Sequence, residues 1–151
     1  YPTDVVRAVF GADTGDVVGI RGRVEALTQM REEADFEPLA HGLKRVVNIL
    51  EGADGRAEPT EVATAQFREE AERELHDACE TIRTRVAEAV EARNWSDACD
   101  ALVELKGPID EFFETVRVEA DEESVRRNRF ALLRTVRELF FEIGDVSRIE
   151  V

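Results

Sequence analysis

The chain has 151 residues, 43% of them hydrophobic, which suffices for one domain with a real core and excludes wholesale disorder. Against 34 Asp and Glu stand 20 Lys and Arg, a formal charge of −14, so blanket electrostatic affinity for nucleic acid or anionic lipid is excluded and any such binding has to be local. No apolar run approaches the roughly 20 residues of a bilayer span, and no basic, then apolar leader opens the chain, so a soluble, cytoplasmic protein with no membrane partner is expected. Cys79 and Cys99 sit among small apolar residues and read as reduced and buried. His41 and His76 lie too far apart for zinc-ligand spacing, and no metal site is expected. The start at Tyr1 rather than Met reads as a piece of a larger chain.

Glu, Arg, Ala and Leu dominate, and Val and Ile rarely alternate with polar residues, which predicts an all-α chain. Thr3 caps a first helix through Phe10, the glycines at 11 and 15 make a turn, and a second helix runs over 16–33. A third spans 36–50 with Leu39, Leu43, Val46, Val47 and Leu50 as its apolar stripe, and Gly52 ends it. Residues 52–59 are small, charged or turn-forming and read as a linker between two helical layers, 1–51 and 60–151, of a single domain. The longest helix is predicted over 60–93, with Phe67, Ala71, Leu75, Ala78, Ile82, Val86 and Ala89 at three- and four-residue steps. Ser96 caps a short helix through Leu105, Gly107-Pro108 stops it, and Pro108 opens a helix carrying Ile109, Phe112, Phe113 and Val116. A terminal helix over 124–143 carries Val125, Leu132, Val136, Leu139, Phe140 and Ile143. The expected architecture is an antiparallel helical bundle.

The charge is uneven. Residues 126–137 hold five arginines (Arg126, Arg127, Arg129, Arg134 and Arg137) and no acid. At about 100° per residue, Arg126, Arg127, Arg134 and Arg137 share one arc facing away from the apolar stripe. Such a ridge suits phosphate, because a guanidinium stays charged and donates bidentate hydrogen bonds. It equally suits a solvent face salt-bridged to the acids at 119–123, Glu138 and Glu142, and both readings stand. Arg129 falls on the apolar stripe and needs a partner; Asp110 is the expected one, in a partly buried structural pair. In the third helix His41, Lys44, Asn48 and Glu51 share the outer face with Arg45 beside them: Lys44 and Arg45 are candidates for phosphate contact and Asn48 for reading a base edge, against the alternative of plain solvated surface.

These segments resemble the C-terminal DALR-type anticodon-binding domain of the beta chain of bacterial glycyl-tRNA synthetases. The resemblance is carried by Leu43-Lys44-Arg45-Val46-Val47-Asn48-Ile49-Leu50, by the run from Phe67 to Leu75, by Pro108-Ile109-Asp110-Glu111-Phe112-Phe113, and by the run from Arg126 to Leu133 leading to Leu139-Phe140 and Asp145-Val146-Ser147. It covers nearly the whole chain except the linker. Charges at Arg117 and Glu119 depart from the family's apolar sequence after the double Phe, and Arg148-Ile149-Glu150-Val151 replaces its leucine-rich tail, which points to an end that is solvated or cut short. The resemblance implies a helical module that binds the anticodon stem-loop of glycine tRNA within a heterotetramer of alpha and beta chains, using ATP and Mg in the whole enzyme. No phosphate loop, metal-spaced acid cluster or base-activated nucleophile is present in the sequence, so this piece is expected to lack catalytic residues and cofactors of its own. RNA contact is expected at Lys44, Arg45, Asn48, Arg126, Arg127, Arg134 and Arg137. The alternative is a docking module, attached by its acidic helical faces to the rest of the synthetase, with little RNA contact.

Overall fold

The computed structural model describes residues 1–12, 17–52 and 61–151. Within them the chain forms seven α-helices: α1 (Thr3–Ala12), α2 (Ile20–Arg31), α3 (Phe36–Gly52), α4 (Glu70–Glu91), α5 (Trp95–Val103), α6 (Lys106–Thr115) and α7 (Glu123–Phe141). Single 3-10 turns lie at Thr64–Gln66 and Val146–Arg148. One contiguous core runs from Val5 in α1 to Ile149 in the tail. The predicted linker lies almost entirely outside the described residues, as do Asp16 and Thr60, where two helices were expected to begin.

The longest helix is shorter than its apolar periodicity suggests. It starts at Glu70, and Phe67 stands before it in extended backbone. The reason is the Glu72 carboxylate, which accepts the backbone N–H of Arg68 at 2.8 Å and of Glu69 at 2.9 Å. These are donors that a helix start leaves unsatisfied, and capping them from the third helical position closes the helix there. Phe67 turns back instead of joining the stripe, with its ring 5.6 Å from that of His76 and beneath the Arg73 guanidinium. At the other end Arg93 takes the left-handed conformation (φ 57°), and the N–H groups of Arg93 and Asn94 bond the carbonyls of Val90 and Ala89. Asn94, not Ser96, caps α5 by accepting from the Asp97 N–H. The Gly107-Pro108 pair lies inside the first turn of α6 rather than ahead of it, since Pro108 lacks only a donor that a first turn leaves free anyway.

Arg129 does not pair with Asp110. Its Nε and Nη2 donate to the Glu72 carboxylate at 2.9 and 3.3 Å, and its Nη1 donates to the Arg117 carbonyl at 2.5 Å. Asp110 is instead taken by Lys106, one turn earlier on the exposed side of α6, at 3.1 Å. Burial raises the Glu72 carboxyl's pKa, but the Arg129 guanidinium and the two backbone N–H groups outweigh it and hold the group below its ordinary value. A second polar tie fixes the segment before α4: the Asn128 side chain accepts from the Ala63 N–H at 2.7 Å and donates to its carbonyl at 3.0 Å.

The tail is buried, against the expectation of a solvated end. Val146 and Ile149 are core residues. Asp4 in α1 accepts from the Glu150 N–H at 2.9 Å and from Arg31 at 2.9 Å, and the Asp145 N–H reaches the Ala8 carbonyl at 2.7 Å. Burial opposes ionisation of Asp4, yet the Glu150 N–H and the Arg31 charge prevail and lower its pKa. The Asp4–Arg31 bond joins the start of α1 to the end of α2, so the two helices run antiparallel. Helix α2 is seated on α5 through Gly22, where a Cβ would lie 2.1 Å from Trp95 Cδ1, and through Arg23, whose guanidinium sits 4.2 Å over the Trp95 ring while its Nε bonds the Glu142 carbonyl.

Glu72→Ala leaves a buried guanidinium unpaired and is expected to cost about 3–5 kcal/mol in urea unfolding, whereas Asp110→Asn leaves the midpoint unchanged. Because the folded Glu72 pKa is depressed, its stabilisation is complete above the unfolded value of about 4.3 and is lost as pH falls through the lower folded value. The stability gap between wild type and Glu72→Gln therefore narrows between pH 6 and pH 3. Gly22→Ala forces the Trp95 indole aside and lowers stability by about 1–3 kcal/mol, read as a fall in thermal midpoint.

Candidate nucleic-acid interface

Helix α3 buries Leu39, Leu43, Val46 and Leu50 and turns the opposite face outward. On that face His41, Lys44, Arg45 and Asn48, with Ile49 and the chain end at Val151, line an open concavity of about 550 Å³. Three of the sequence-predicted residues, Lys44, Arg45 and Asn48, are thus brought together. The Arg45 guanidinium lies 4.3 Å above the Phe113 ring of α6, and Phe113 packs edge-on against the buried Phe112. The double Phe of α6 therefore supports a cation on its outer ring, a role that the sequence did not signal. Neither Lys44 nor Arg45 forms an ion pair among the described residues. Without ion-pair partners and accessible, both charges are available to a phosphate, and a guanidinium seated over a ring can also stack on a base.

The four arginines of α7 are arranged differently from the expected free ridge. The helix is enclosed by α3, α4 and the Thr64–Gln66 turn, and Phe130, Ala131 and Leu133 are buried on the side that angles alone give to the arginines. Each arginine is half-buried. Arg126 donates to the Ala120 carbonyl at 3.1 Å. Arg127 lines a crevice with Glu61, Ala63, Gln66, Ser124 and Asn128. Arg134 has its Nη1 buried without a partner, and Arg137 sits 5.8 Å from the Phe141 ring in a narrow crevice beside Val47 of α3. Arg126, Arg134 and Arg137 form no ion pair among the described residues, so the salt-bridged solvent face is not what holds them. No single groove takes in all seven predicted residues. Lys44, Arg45 and Asn48 line one concavity, Arg137 a second crevice and Arg127 a third, with Arg127 and Arg137 about 15 Å apart along the helix.

Two further crevices among the described residues have the wrong sign for phosphate. The crevice beside His76 is lined by Glu61, Glu80 and Glu138 against one Arg83, and that beside Asn94 by Glu88, Asp97 and Asp100 against Arg85. Among the described residues no group of three or more His, Cys, Asp or Glu could hold a metal, and no helix is long and apolar enough to cross a membrane. Burial pushes the pKa of both the Cys79 and Cys99 thiols up to about 12, which leaves almost no thiolate at neutral pH.

A helical bundle with a cationic concavity on an acidic body has the form of an RNA-docking module, and comparison places it. The model of the DALR anticodon binding domain matches residues 39–150, and the chain belongs to that family. Over 99% of its length it is similar to glycine-tRNA ligase beta subunits, at 39% identity to those of Geotalea uraniireducens and Geobacter sp. strain M21 and 38% to that of Myxococcus xanthus. The aligned region is 21% of each relative, so the chain spans about a fifth of their length.

Both thiols are expected to stay unreactive to a disulfide reagent in the native state and to react at the rate of unfolding; labelling of either within seconds in buffer would contradict their burial.

Proposed function

We propose that this chain is the anticodon-binding module of a glycine-tRNA ligase beta subunit, and that the outer face of α3 is where it meets the anticodon stem-loop of glycine tRNA. The observation that carries the reading is the concavity of Lys44, Arg45 and Asn48, two unpaired cations and an amide on one open face of a protein with a formal charge of −14. Lys44 holds a phosphate as a point charge, Arg45 stacks an unpaired base on the guanidinium that Phe113 supports, and Asn48, one turn along, hydrogen-bonds a base edge. Arg137 and Arg127 extend the contact toward the stem, and Arg126 ties the loop ahead of α7 to that helix through the Ala120 carbonyl. The acidic crevices elsewhere repel RNA and so select its approach.

The module contributes binding energy and selectivity, not chemistry. In the whole cytoplasmic enzyme the alpha subunit activates glycine with ATP and Mg, the two chains forming a heterotetramer, and this domain selects the tRNA that receives the glycyl group.

The test is steady-state aminoacylation by the full-length enzyme. Lys44→Ala with Arg45→Ala is expected to raise the KM for glycine tRNA at least 10-fold, to flatten its salt dependence, and to leave ATP and glycine kinetics in pyrophosphate exchange untouched. Asn48→Ala is expected to reduce discrimination among anticodon variants with the salt dependence kept. An unchanged tRNA KM in the double variant overturns the reading.

A further inference from the structure

Among the described residues five large apolar side chains are well exposed, and four of them, Tyr1, Phe10, Val17 and Val18, fall within the first 18 residues. Single exposed hydrophobics are ordinary, but these are concentrated. Phe10 is 60% exposed on the face of α1 opposite Val5, Ala8 and Val9, and Val17 and Val18 are 78% and 80% exposed just ahead of α2. Because the two helices are antiparallel, these three side chains mark one end of the α1–α2 pair, while Tyr1 precedes the start of α1 and its hydroxyl bonds Glu25 in the middle of α2. The family match begins at residue 39, so the pair stands outside the anticodon-binding model, yet it lies within the region shared with the beta-subunit relatives.

We propose that this end of the α1–α2 pair docks onto another part of the same full-length beta chain. The inference rests on the chain being one module of a longer subunit, the reading given above. Two observations choose that occupant. First, the relatives are about five times as long as this chain, so a tethered partner surface is at hand. Second, Phe10, Val17 and Val18 together expose on the order of 300–400 Å², well short of the ~800 Å² per partner of a stable interface between separate chains. So small an apolar centre suits a tethered partner, for which the covalent link supplies millimolar effective concentration. Aliphatic Val17 and Val18 also offer nothing to a phosphate or a base edge. Docking here has a mechanical consequence. Asp4 and Ala8 of α1 clamp the tail through Glu150 and Asp145, and the tail's Val151 lines the Lys44 concavity, so anchoring the pair fixes the orientation of that concavity in the enzyme.

The experiment uses the full-length enzyme with benzoylphenylalanine in place of Val18 or Phe10, irradiated and mapped by mass spectrometry, with isotope-mixed beta subunits to separate links within one chain from links between copies. The expected result is a cross-link to the same beta polypeptide outside this domain. Links to a second beta copy, to the alpha subunit or to tRNA, or no link at all, overturn the proposal. Phe10→Asp with Val18→Asp is expected to raise the rate of proteolytic cleavage ahead of α3 at least 10-fold in the same enzyme, and an unchanged rate also overturns it. The salt dependence of the tRNA KM stays at the wild-type slope in this variant, while Lys44→Ala with Arg45→Ala flattens it, so failure of the docking surface and failure of the RNA face are read separately.

Discussion

The buried pair of Glu72 and Arg129 is the constraint on which the rest of the bundle depends. It joins the first turn of α4 to the middle of α7 and, through the Arg117 carbonyl, to the loop that leads into α7. A guanidinium and a carboxylate taken out of water repay their desolvation only when every strong donor and acceptor finds a partner. Here Glu72 accepts four N–H groups, two from Arg129 and two from the backbone, so the same atoms that neutralise the arginine also end the extended segment and start the helix. Packing that is merely apolar would let α7 rotate or slide against α4; this geometry permits one register.

With α7 fixed, the placement of the charges follows. Helix α3 lies along α7 with Leu43, Val46 and Val47 toward Arg137 and Phe140, and this turns Lys44, Arg45 and Asn48 outward. Helix α6 then brings Phe113 beneath Arg45. The acidic balance, which at first argues against nucleic acid, becomes a source of selectivity: among the described residues Lys44 and Arg45 stand on one face without ion-pair partners, while in the crevices beside His76 and Asn94 acids outnumber bases. The structure thus separates two surfaces of different chemistry, a cationic one on α3 and an apolar one at the end of α1 and α2.

Much of this was legible in the residues. The apolar stripe of α3 set which side faces out, so the grouping of Lys44, Arg45 and Asn48 followed from helical spacing alone, because one helix with one buried side obeys its own periodicity. The same logic failed for α7, which is surrounded; Phe130 and Leu133, on the side assigned to the arginines, are buried, and an angular wheel carries no information about a second or third packing neighbour. The partner of Arg129 was missed for a related reason. Glu72 lies 57 residues away and only tertiary contact selects it, while Asp110 already had Lys106 four residues before it, a local signal that could have withdrawn it. The start of α4 was hidden because glutamate is an unusual residue at a helix cap, and Phe67 continues the apolar rhythm although its backbone has left the helix. The tail looked polar at Arg148 and Glu150, yet the alternate Ile149 is fully buried between them.

The claim at the centre is that RNA meets the cationic face of α3 and leaves the apolar end of α1 and α2 untouched. Hydroxyl-radical footprinting of side chains in the full-length enzyme, with and without glycine tRNA, tests both halves at once. The predicted result is protection of His41, Ile49 and Phe113 on adding tRNA with no change at Phe10, Val17 or Val18. Protection at Phe10 and the two valines, with His41, Ile49 and Phe113 oxidised as before, would contradict it.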